Sequence, residues 1–132
     1  MAFRYNKLWT TYTCRKYNNY LFIYGDNDLK LGKGGQAMIR DEPNVAGIPT
    51  KKEPNNKKSS FYTDNEYDSN VEKISTAIKS IKHKLNDYDG IIYPKDGIGT
   101  GLAQLDKHAP KTFRYLNRQL KKLFKYAMFK KQ

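Results

Sequence analysis

The sequence predicts a single α/β domain, with a mostly parallel mixed sheet flanked by helices. Two short apolar runs, residues 20–24 and 91–93, read as strands covered on both faces. Each run is followed at once by a glycine-rich stretch, and each stretch leads on to a helical segment. This alternation belongs to sheets with parallel neighbours, because a parallel pair needs a crossover that packs on one face. At 132 residues the chain has the length of one ordinary domain, and it shows no internal repeat.

Taken in order, residues 3–16 are rich in Tyr, Thr and Trp, and residues 9–14 are expected as an extended strand. Asn18 and Asn19 mark a turn before the apolar run at 20–24, which ends at Gly25, Asp26 and Asn27. A glycine-rich stretch spans 32–37. Residues 37–40 are expected as a short helix stopped before Pro43, and 45–48 as a short strand ending at Pro49. Residues 51–60 are polar, carry a proline and lack any period, the signs of a mobile surface loop. Thr63 and Glu66 have capping-box spacing for a helix. In that helix Tyr67, Val71, Ile74, Ile78, Ile81 and Leu85 share one face, which leaves His83 in solvent. Residues 91–93 then form the second buried strand, followed by glycine loop 96–101. Pro110 suits the first turn of a final helix at about 110–128. Phe113, Leu116, Leu120, Leu123 and Ala127 make its apolar face. Lys111, Arg114, Arg118, Lys121, Lys122 and Lys125 fall within an arc of roughly 100° on the other side.

Composition narrows the function classes. The formal charge is +12, and residues 107–132 contain nine basic side chains and no acidic one. An anionic partner follows from that balance: a nucleic acid, an acidic protein or a phosphorylated small molecule. Cys14 is the only cysteine, which excludes an internal disulfide and a paired-cysteine metal or redox site; a buried or edge-strand thiol in a reducing compartment is expected. With His83 and His108 as the only histidines, neither a metal site nor a cofactor is expected. No apolar run nears the roughly 18 residues of a membrane span, and the first residues lack a signal-peptide core, so a cytoplasmic protein without membrane contact is expected.

The two glycine loops carry the chemistry. Successive glycines allow positive φ and let backbone N–H groups turn inward around an anion. Gly25, Gly32, Gly34 and Gly35 supply the first loop, and Gly97, Gly99, Thr100 and Gly101 the second. Tight turns use glycine for steric reasons too, so the pairing of the loops is the stronger signal. Standard phosphate motifs fail. Gly32, Gly34 and Ala37 match the dinucleotide fingerprint in letters but not in context, and Lys33 is followed by glycine where a P-loop needs Ser or Thr. Asp26 and Asp96 are candidate bases or, alternatively, turn-capping residues.

Residues 21–27, 32–37, 43–44, 47–51 and 96–102 together resemble an uncharacterised family of small phage and bacterial proteins, among them T-even-type phage early proteins. The resemblance covers about residues 20–116 and implies a phage-encoded protein acting in the host cytoplasm. More distantly, the layout is similar to macro domains, which bind ADP-ribose between two glycine loops. That resemblance implies a macro-domain-like fold and a phosphorylated-nucleotide or ADP-ribose-type ligand. Asn27 would match the asparagine that holds the distal ribose. The loops would hold the diphosphate, with Lys33 and Gln36 where macro domains carry small apolar residues. Catalysis, as an ADP-ribosyl or nucleotide-derivative hydrolase, would then fall to Asn27, Asp26 and Asp96, with Arg40 and Lys51 closing on the ligand. The competing expectation is a non-enzymatic protein whose basic helix binds nucleic acid or an acidic host protein.

Overall fold

The computed structural model describes residues 1–129. Four strands, β1 (Ala2–Tyr5), β2 (Tyr20–Asn27), β3 (Val45–Lys51) and β4 (Gly90–Pro94), alternate with helices α1 (Thr11–Lys16), α2 (Tyr67–Lys84), α3 (Leu105–His108) and α4 (Pro110–Phe129). The strand order is β1-β4-β2-β3 and every neighbouring pair is parallel, so the expected α/β class holds and the sheet is parallel throughout.

The pleat sends alternate side chains to opposite faces, and each face has its own core. Leu21 and Ile23 of β2, Ile48 of β3 and Ile91 of β4 pack under the apolar stripes of α2 and α4. Phe22, Tyr24, Val45 and Ile92 face the other way, against Trp9, Cys14 and Ile39. The molecule therefore has three layers, with α2 and α4 on one face and α1 with a 3-10 turn at Gly35–Ile39 on the other. Ile74, Ile78, Ile81 and Leu85 of the expected α2 stripe are buried, as are Leu116, Leu120, Leu123 and Ala127 of α4. Both His83 and the six-cation arc of α4 are exposed. Lys130 and Lys131, counted in the basic segment, lie outside the described residues.

The chain departs from expectation at three places. Residues 9–14 are not a strand: Thr11–Lys16 is helical. The Thr10 amide donates to Thr13 Oγ1 at 3.0 Å, and Trp9, Thr13 and Tyr17, four apart, turn toward the second core. The strand of this region is instead β1, a four-residue edge paired only with β4. Its close approach explains Gly90, where a Cβ would sit 2.5 Å from the Met1 carbonyl oxygen. Next, β3 continues past Pro49 to Lys51; a proline is tolerated there because β3 is the other edge. The base of the 51–60 loop is closed by the Lys52 amide donating to the Ser60 carbonyl at 2.8 Å, and by a bridge between Lys51 and Phe61. Finally, Thr63 and Glu66 form no capping box. Glu66 pairs with Lys52, while Asp64 accepts the Lys111 and Thr112 amides and the Thr112 hydroxyl at 2.9–3.0 Å, capping α4.

Among the described residues no helix is long and apolar enough to cross a membrane.

Candidate functional site

At the carboxyl ends of β2 and β4 the chain leaves the sheet in opposite directions. From β2 it turns toward the face of α1, where Ala37 and Ile39 are buried. From β4 it turns to the opposite face, where Ile98, Leu105 and α4 pack. Neighbouring parallel strands whose connections diverge this way open a crevice between them, the usual ligand position in open α/β sheets.

That crevice is a cleft of about 750 Å³. Gly25 and residues 33–36 form one side, and Asp96 with residues 99–102 the other, so both glycine loops line one space. Gln36 ties them together. Its Oε1 accepts the Gly25 amide at 2.9 Å and its Nε2 donates to the Gly97 carbonyl at 2.7 Å. Trp9 fixes the same residue by donating its indole N–H to the Gln36 carbonyl. The positive φ angles of Gly32, Gly35, Gly97 and Gly99 set the curvature of both loops. The amides of Gly34, Thr100 and Gly101 have no hydrogen-bond partner among the described residues. Lys7 and Lys95 add positive charge to the rim, and Leu8 and Leu102, 84% and 63% exposed, make an apolar mouth. Cleft volume, apolar walls and a few converging polar groups are the marks of a small-molecule site.

The catalytic candidates separate sharply. Asp26 is buried, and Arg40 grips both of its oxygens at 2.6 and 3.0 Å. Its carboxylate also accepts the Tyr24 hydroxyl and the Asn27 amide. Burial, then the neighbouring Asp26 charge, push the Tyr24 phenol well above its ordinary range. Asn27 organises the loop: its Oδ1 accepts the Leu29 and Leu31 amides while its Nδ2 donates to the Leu31 carbonyl. Arg40 also donates to the Gly32 and Leu31 carbonyls, so its guanidinium is spent inside the protein. Lys33 pairs with Asp41. Asp96 alone of the three candidates lines the cleft, with an exposed carboxylate that has no partner among the described residues.

Lys51 does not sit on a loop tip. It is 6% exposed at the end of β3, beside a second cavity of about 120 Å³ that shares Gly25, Gly34, Thr50, Leu102 and Ala103 with the cleft. Burial lowers its pKa. Among the described residues no three His, Cys, Asp or Glu side chains are grouped to hold a metal.

Sequence reasoning misses Lys7, Leu8, Trp9, Met38, Thr50, Pro94, Lys95 and Ala103 as cleft residues. The first three all precede α1, and the strand expected at 9–14 covers only Trp9, whose helical spacing with Thr13 and Tyr17 is the signal for its true place; nothing local marks Lys7 or Leu8. Nothing local marks Met38 or Thr50.

The fold and cleft define a small three-layer α/β protein with one crevice framed by paired glycine loops. The chain belongs to DUF7831, a family of unknown function, whose model matches residues 4–119. No curated protein and no solved structure matches the chain.

Proposed function

We propose that this is a macro-domain-like, phage-type protein of the host cytoplasm whose cleft binds a phosphorylated nucleotide or an ADP-ribose-type ligand. The observation that carries this reading is the meeting of the two glycine loops around the crevice between β2 and β4. Unpaired amides at Gly34, Thr100 and Gly101 supply donors suited to phosphate oxygens. The apolar mouth at Leu8 and Leu102 suits a planar base. Asp96 is the group we assign as base for hydrolysis of such a ligand, since Asp26 is neutralised by Arg40 and Asn27 is committed to its own loop. Gly101 gives a clean test, because a Cβ there meets nothing within 4 Å and its φ is not left-handed. Gly101→Glu should leave the melting temperature of the free protein within a few degrees and weaken ADP or ADP-ribose binding by about tenfold or more through charge repulsion. Asp96→Asn should retain binding and lose turnover. Full-strength binding by Gly101→Glu would remove the reading.

A second reading is favoured by one observation. The six cations of the α4 arc are all exposed, and none forms an ion pair with a carboxylate among the described residues. Lys111 lies over the Tyr67 ring and Arg118 over Tyr115, so the face also offers aromatic surface. Such a face suits nucleic acid or an acidic host protein. Replacing Arg118, Lys121 and Lys125 by Glu should abolish salt-sensitive nucleic-acid binding and leave cleft binding unchanged. Nucleic-acid affinity that survives this reversal would exclude the helix.

A further inference from the structure

We propose that the smaller cavity beside the cleft is an oxyanion subsite, in which the buried Lys51 ammonium is the counter-charge for a phosphate group. For the remainder of the ligand this rests on the nucleotide reading of the cleft, but the subsite stands on its own geometry.

A strand-end lysine usually places its ammonium in water, yet Lys51 is almost wholly enclosed. No carboxylate lies within ion-pairing distance of it among the described residues. Its Nζ reaches the Leu102 carbonyl only at 3.5 Å, and it lies 4.7 Å from the centre of the Phe61 ring. An ammonium has three donor hydrogens, so most of its capacity is unused. A buried cation with no anion is costly, and the fall in its pKa reflects that cost.

Asp26 is the one other charged residue in the cavity lining, and Arg40 holds it in an ion pair. Lys51 is left as the net charge of the lining. At about 120 Å³ the cavity is well beyond the space a single water needs, as a tetrahedral oxyanion requires. Gly34, whose amide is unpaired, lines it as well. Because the cavity opens onto the main cleft along Thr50 and Leu102, a ligand can lie across both, with its phosphate against Lys51.

The test is calorimetric titration of the wild-type protein and Lys51→Met with inorganic phosphate, ADP and adenosine. Methionine keeps an unbranched apolar stem against Phe61 and removes the charge together with its N–H donors. Phosphate and ADP should each lose about tenfold or more in affinity while adenosine is unaffected. If Lys51→Met does not fold, NMR titration of the wild-type Lys51 side chain replaces it: phosphate should raise the ammonium pKa, and an unmoved pKa overturns the subsite. ADP binding equal in both proteins overturns the subsite and leaves the cleft reading standing. Phosphate binding lost in Lys51→Met, with no binding of ADP or adenosine, keeps the subsite and removes the cleft reading. Silence from all three probes removes both.

Discussion

Arg40 reaches back fourteen positions along the chain to Asp26, and the two side chains are only 11% and 6% exposed. Desolvating both charges is repaid only while they hold each other, so losing one member leaves an uncompensated charge in a confined site. Arg40→Ala should therefore destabilise the protein by about 3 kcal/mol, read from urea unfolding. Adding Asp26→Asn should recover part of that loss; strict additivity of the two changes would refute the coupling. Little of this was legible beforehand. Asp26 beside Asn27 at a strand end reads equally as a base or a turn residue, and nothing local shows that Arg40 will neutralise it. Lys51 and Lys52 look identical in a polar run, yet one is enclosed at the end of β3 and the other pairs with Glu66 at the surface.

Helix α4 shows both what periodicity reveals and what it hides. Its apolar and cationic faces follow from spacing alone, because a 3.6-residue period is a local property. Its cap does not: Asp64 is supplied from the turn before α2, across the helix pair. Burial raises the Asp64 pKa, but the bonds from the Lys111 and Thr112 amides and the Thr112 hydroxyl outweigh it and hold the carboxyl below its usual range. A carboxyl lowered in the folded state contributes stability above its unfolded pKa and loses it as pH falls through the folded one. Asp64→Ala should cost about 1 kcal/mol at neutral pH. The gap to wild type should close in acid below about pH 4, and a gap independent of pH would count against the cap. At the same scale, residues 9–14 depart from the expected strand because Trp, Tyr and Thr favour strands only on average, whereas burial of Trp9 and Cys14 favours the helix.

Across the whole molecule, three buried groups titrate against the alkaline side. Burial, then the nearby Glu42 charge, push the Cys14 thiol up to about 12. Burial likewise raises Tyr24 and Tyr62, helped by Asp26 and Asp28. These groups keep their protons when folded and release them from about pH 9–10 when unfolded, so stability is full below that range and falls above it. Lys51 acts in the opposite sense, since its lowered pKa makes the unfolded chain the better proton binder, but it is one group against three. Urea midpoints should thus decline between pH 9 and 11, and Cys14→Ala should flatten the slope. A flat wild-type profile would show that these groups titrate freely.

The strand order has a consequence for how the chain is made. Strand β1 is synthesised before the other three strands, yet its sole neighbour in the sheet is β4, where Ala2 faces Ile91 and Tyr5 faces Pro94. On a ribosome, β2 and β3 can pair before β4 has been made, because only residues 28–44 separate them. The amino-terminal strand has no such opportunity: it waits, unpaired, until the segment that completes its ladder has left the exit tunnel. The same late segment leads into the second glycine loop, so edge closure and completion of the cleft belong to one final stage of assembly.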